Sequence, residues 1–122
     1  IVDYLQLMAP NQKSDNETVR MKNLSRELKL MAIGEEVPII AISSATPDDV
    51  NDLSGVPTLG QTAWSRQIAY DADWVIALGR ATNSDIIECA FRKNRNGFMG
   101  DFLVQVDFDK GYYRYKDFED KN

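Results

Sequence analysis

Apolar residues recur along this chain with two different periods, and the change from one to the other divides it. Residues 1–7, Ile-Val-Asp-Tyr-Leu-Gln-Leu, form a mainly apolar run of the length of a buried parallel strand. Met21, Leu24, Leu28 and Met31 then recur at three- and four-residue steps, with Arg20, Lys22, Arg26, Glu27 and Lys29 between them. That spacing predicts an amphipathic helix. Ser14 and Glu17 have the separation of a capping box at its start, and Gly34 is placed to end it. Residues 37–43, Val-Pro-Ile-Ile-Ala-Ile-Ser, predict a second strand, with Pro38 tolerable only near its beginning. Strand, helix and strand in succession imply a right-handed parallel crossover.

Residues 8–16 and 44–62 read as loops. The second is long and carries Pro47, Gly55, Pro57 and Gly60 among serine, threonine and aspartate. A short helix is expected over residues 63–70 and a third strand over residues 74–78, introduced by Asp71 and Asp73. Residues 86–91, 102–108 and 112–115 are strand-like, and Asp109-Lys110-Gly111 supplies a tight turn between the last two. The fold class expected is α/β, a mostly parallel sheet ending in antiparallel hairpins. A buried strand at residue 1 is expected of a segment whose upstream neighbours lie elsewhere in a longer polypeptide.

Composition narrows the chemistry. The 122 residues are 43% hydrophobic and 27% charged, the balance of a globular protein, with no apolar run of bilayer length and no secretory leader pattern. With one cysteine, Cys89, no internal disulfide can form, so a cytoplasmic location is the default expectation. A net charge of −5 argues against coating nucleic acid with the whole surface, so any DNA contact must be local. The absence of histidine removes the commonest general base, and a single cysteine cannot build a structural zinc site.

Four groups of residues could carry chemistry. Asp3 follows apolar residues near the end of a predicted parallel strand, where open α/β sheets hold their ligands; a strand-end structural role is the alternative. Arg92, Lys93 and Arg95, followed by Asn96-Gly97 and Gly100, concentrate positive charge on a glycine-containing loop in an otherwise acidic chain. Such a loop suits a phosphate, or it is a solvated hairpin tip that keeps strand edges apart. Asp71 and Asp73 read either as a carboxylate pair or, more simply, as capping and solvated groups. Tyr112, Tyr113 and Tyr115 beside Arg114 could stack on bases or pack the terminal hairpin onto the core.

Taken in chain order, these pieces resemble the second half of the RecA-like P-loop NTPase core of DnaB-type replicative helicases. Val2-Asp3-Tyr4-Leu5-Gln6-Leu7-Met8 is similar to the family's Walker B strand, and Leu24-Ser25-Arg26-Glu27-Leu28-Lys29 to the helix after it. Val37-Pro38-Ile39-Ile40-Ala41-Ile42-Ser43 resembles the next strand, and Asp71-Ala72-Asp73 with its apolar run the one after. Lys93-Asn94-Arg95-Asn96-Gly97 with Gly100 matches the family's basic arginine-finger segment. The resemblance covers residues 1–115 as a partial ATPase domain, leaving residues 116–122 as a polar tail.

The resemblance implies ATP and Mg2+ as cofactors. Asp3 would bind magnesium through water and, with Gln6, form the cofactor-binding set. Lys93 and Arg95 would act in catalysis on the γ-phosphate of the neighbouring subunit, and Ser44 would stand at a catalytic sensor position. The loops at residues 8–16 and 44–62 would be channel loops that follow single-stranded DNA. The implied partners are single-stranded DNA, a hexameric ring of identical subunits, a primase and a helicase loader, with no membrane.

The chain departs from the family at Ser44, where a glutamine is usual, and its second loop carries Asp48, Asp49 and Asp52 without lysine or arginine. No Gly-x-x-x-x-Gly-Lys-Ser/Thr occurs in it, so the chain alone is expected not to hydrolyse ATP. The function implied is part of an ATP-dependent helicase. The alternative is a non-catalytic RecA-like module that binds DNA or partners. A phosphoesterase using Asp3 and Glu88 is a poorer reading, because no further carboxylate or histidine cluster supports it.

Overall fold

Helix α1, Glu17–Gly34, is rich in leucine, methionine, lysine, arginine and glutamate, the good helix formers, and it organises the first of two compact units. The computed structural model describes residues 1–8, 16–44, 65–80 and 85–116. Residues 1–8, 16–44 and 65–73 fall in the first unit, residues 74–80 and 85–116 in the second. Helix α1 begins two residues later than the capping box suggests. Its N-cap is Asn16, whose side chain accepts a hydrogen bond from the Thr18 amide at 2.9 Å, while Ser14 lies outside the described residues.

The far end of α1 falls at Gly34, as expected, but the cap is built beyond it. Gly34 is the last helical residue, and the left-handed position falls on Glu36, with φ 52°. The Val37 amide donates to Ala32 O at 3.1 Å and the Glu36 amide to Ile33 O at 3.4 Å. That pair of bonds is a Schellman motif, which satisfies the last carbonyls after the helix has run through the glycine.

The buried face of α1 is Met21, Leu24 and Leu28, which pack with Leu5, and Val2, Ile39 and Ile68 close around them. Met31, expected on the same stripe, is exposed. Helix α2, Ser65–Asp71, overlaps the short helix expected there, and the part of that expectation at residues 63 and 64 is outside the described residues.

The mostly parallel sheet is not found among the described residues. Parallel pairing among the described residues is a single bridge, Val2 with Ala41, joined by Val2 N to Ile40 O at 2.8 Å and Ile42 N to Val2 O at 2.9 Å. The run read as a strand over residues 1–7 turns into a 3-10 helix at Leu5–Leu7, and the run at residues 37–43 is bridged only at Ala41.

The sheet is instead antiparallel and lies in the second unit. Its strands are β1 (Trp74–Arg80), β2 (Ile86–Asn94), β3 (Gly100–Asp107) and β4 (Tyr112–Lys116), in sequence order. Short connections dictate this, because parallel neighbours need a crossover of a dozen or more residues. The β3–β4 turn is the expected one: Gly111 takes φ 63°, and Asp107 accepts from both the Lys110 amide at 3.1 Å and its ammonium at 3.0 Å.

Cys89, Ala90, Leu103 and Val106 are buried in this unit, and Phe91 and Phe102 meet at 5.6 Å between ring centroids. Tyr112, Tyr113 and Tyr115 do not pack into a core; all three stand exposed on β4.

Candidate functional site

In the first unit, the residues singled out near the chain start converge. Asp3 lies between Val2, which is bonded to residues 40 and 42, and Leu5, whose amide donates to Ile42 O at 2.9 Å. Its backbone is therefore held at the end of the parallel pair, and the residue is exposed. Gln6 reaches across the same gap. Its Nε2 donates to Ser43 Oγ at 3.0 Å, and its Oε1 accepts from the Ser44 amide at 3.5 Å, a long contact. Asp3, Gln6, Ser43 and Ser44 thus gather where two parallel segments end, the position at which open α/β folds bind ligands. Ser43 was not among the sequence candidates, and only the pairing of the two segments reveals it.

This donor set fits a magnesium ion that keeps most of its water and phosphate ligands. Among the described residues no cluster of three or more acidic, cysteine or histidine side chains could cage a metal directly. Mg2+ takes one or two carboxylates and fills its remaining positions with water and phosphate oxygens, and a single exposed aspartate meets that demand.

Asp71 and Asp73 are neither a catalytic pair nor merely solvated. Asp71 is buried and accepts from Ser25 Oγ at 2.9 Å and Gln67 Nε2 at 3.3 Å. Asp73 pairs with Lys29 at 2.5 Å. Ser25 and Lys29 are four residues apart on one face of α1, so the Asp-Ala-Asp sequence ties the end of α2 to that helix.

In the second unit, the basic residues straddle the β2–β3 connection. Lys93 lies within β2, opposite Val75 of β1, and Arg95 follows directly after Asn94, the last strand residue. The β1–β2 register slips by one between Val75 and Ile76: Lys93 faces Val75, Phe91 faces Ile76, and the ladder passes over Arg92. This is a β-bulge. Residues two apart normally share a face, but Phe91 and Lys93 are matched to adjacent residues and so lie on opposite faces. Lys93 is thereby kept off the apolar face that carries Phe91, Cys89 and Phe102. Arg92 lies 3.8 Å from Asp101 of β3, a loose pair. The Asn94 Nδ2 donates to Phe98 O at 3.1 Å across the turn.

Residues 9–15 and 45–64, which hold most of the two expected channel loops, lie outside the described residues. Cys89 is buried, and burial pushes its thiol pKa up, which marks it as a packing residue.

The family model for the DnaB-like helicase C-terminal domain matches residues 1–117. The chain belongs to that family. Its relatives include a probable replicative DNA helicase of Trieres chinensis, 33% identical over 97% of this chain and 28% of its own length. The replicative helicase DnaB of Geobacillus stearothermophilus is 33% identical, over 98% of this chain and 28% of its length. The chain therefore spans under a third of these DnaB-like proteins.

Among solved structures, an ATPase domain superposes with a TM-score of 0.81 at 27% identity, covering 94% of this chain and 43% of that one. A DnaB-like replicative helicase studied for its interactions with primase gives 0.81 at 29% identity, over 91% of this chain and 29% of that one. The helicase ATPase core is thus the architecture to which both units of this DnaB-like chain correspond. Among the described residues no helix is long and apolar enough to cross a membrane.

Proposed function

We propose that this chain is part of the ATP-driven motor of a replicative DNA helicase, the part that carries the Walker B aspartate and the trans-acting cations. The observation that carries this reading is the convergence of Asp3, Gln6, Ser43 and Ser44 at the ends of two parallel segments, in a chain of the DnaB-like family. Bound Mg2+ with ATP would supply an activated phosphoanhydride and a counter-charge to its oxygens. Asp3 would hold the metal's water shell, and Gln6 would keep the Ser43–Ser44 backbone fixed beside it. Lys93 and Arg95 would lend positive charge to the γ-phosphate in a neighbouring subunit's site, which makes turnover depend on a ring, taken here as a hexamer. Single-stranded DNA is the proposed track. A primase and a loader are the proposed partners, the former in line with the primase interactions of the structural relative.

Turnover of ATP by the gene product that carries this chain, measured with single-stranded DNA, tests the reading. Lys93→Ala and Arg95→Ala should each lower kcat by about three orders of magnitude while nucleotide binding persists. Asp3→Asn should also abolish turnover, and the chain alone should show none. Equal turnover without either cation would sink the assignment. Ser44, standing where the family usually has glutamine, favours a second reading as a non-catalytic RecA-like module; under it, the gene product binds DNA with no ATP turnover at all.

A further inference from the structure

The ladder between β2 and β3 starts at Phe91–Gly100, so residues 92–99 extend beyond it. Lys93 and Arg95 both belong to that extension. Cations meant to meet a developing charge must be held in advance, because an error of about an ångström in placement costs roughly a hundredfold in rate. What holds this stretch is therefore part of how the two cations would work.

We propose that Asn94 is a positioning residue for Lys93 and Arg95, bracing the turn from which both are presented. The proposal rests on the reading of the hairpin as a trans-acting finger. Asn94 sits between the two cations in sequence, and its backbone is anchored opposite Trp74 at the end of β2. Its side chain, half-buried, straps the turn by donating from Nδ2 to Phe98 O at 3.1 Å.

Gly97 lies against the same amide. A Cβ at position 97 would stand 2.5 Å from Asn94 Nδ2, 3.0 Å from Cγ and 3.1 Å from Oδ1. The amide thus occupies the space a side chain at 97 would need, and Asn94 and Gly97 form one device. The bulge at Arg92 sets the face on which Lys93 stands, and the strap fixes the backbone that follows. Since the Asn94 donor is committed to Phe98, the residue acts through its neighbours.

A double-mutant series in the gene product that carries this chain tests this, reading kcat, nucleotide affinity and melting temperature. Asn94→Ala should lower kcat by roughly ten- to a hundredfold with nucleotide affinity and melting temperature unchanged. Gly97→Ala should do the same, and in the Asn94→Ala background it should cost nothing more, because the clash has gone. In a background of Lys93→Ala with Arg95→Ala, Asn94→Ala should have no further effect on the residual rate. A kcat loss that persists undiminished in that background, or that tracks a fall in melting temperature in both Asn94→Ala and Gly97→Ala, overturns the proposal. Gly97→Ala probes the contact from the other side, so the test survives poor folding of Asn94→Ala. If the cation variants lose turnover while Asn94→Ala and Gly97→Ala keep it, the finger stands and the positioning role falls. If the cation variants keep it, both fall.

Discussion

The two units are held by different means. In the first, the core is built from buried side chains around α1, and distant segments are joined through polar side chains: Gln6 to Ser43, Ser25 to Asp71 and Lys29 to Asp73. These pairs are separated by 37 to 46 residues in sequence. In the second, neighbouring strands are joined by backbone ladders, and the side-chain bonds that Asn94 and Asp107 make in its turns span only three or four residues. A unit tied by long-range side-chain bonds is sensitive to single substitutions, because each lost partner leaves a half-buried polar group behind. A laddered sheet spreads its stability over peptide groups that no substitution except proline removes.

Denaturant unfolding can break or sharpen that contrast. The largest loss is expected from Met21→Ala, which empties the centre of the α1 core and should cost about 2 to 5 kcal/mol. Ser25→Ala should follow, at about 1 to 3 kcal/mol, because it removes the buried hydroxyl donor from Asp71. A Ser25→Ala variant as stable as the parent would show that the tie between α1 and α2 is carried by packing alone. Glu36→Gly should raise stability by about 1 kcal/mol, since it relieves a side chain held at positive φ.

The smallest effect belongs to the sheet. The Lys110 ammonium, and then its amide, hold the Asp107 carboxyl below its usual range. A carboxylate depressed in the folded state contributes stability above its unfolded pKa, near about 4, and loses it as pH falls through the folded value. Lys110→Met should therefore move the Asp107 titration, followed by NMR, upward but not to its free value, because the amide bond remains. Acid unfolding should become correspondingly less steep.

How much of this was legible in the sequence follows the same division. All four sheet strands and the Asp-Lys-Gly turn could be placed to within about three residues, because alternation and turn chemistry are local signals. The parallel direction of residues 1–7 and 37–43 and the antiparallel terminal hairpins were legible, but the extent of parallel pairing was overestimated, since nothing local in those two runs records that among the described residues they pair at one bridge. The α1 core was visible in its three- and four-residue spacing. Its end at Gly34 was visible too, but the capping positions were not, because they fall on Asn16 and Glu36, residues that carried no such signal.

In the candidate site, Asp3, Gln6 and Ser44 could be proposed from motif resemblance. Ser43 became visible only through the hydrogen bond from Gln6. Asn94 gave no signal as an isolated asparagine; its role depends on the three-dimensional closeness of Phe98 and Gly97.

The bulge at Arg92 also bears on which changes of length the gene can absorb. In-frame loss of that codon would leave a regular β1–β2 ladder in which Phe91 and Lys93, now adjacent, still take opposite faces. The phase of everything downstream would be kept, while the loose contact with Asp101 would go. Loss of Val104 is the opposite case, because the β2–β3 ladder runs there without a slip. It would turn Gln105 toward the face of Phe102 and carry the buried Val106 to the other side. Codon deletions in this hairpin should therefore be survivable at Arg92 and ruinous at Val104, although each removes a single residue from the same sheet.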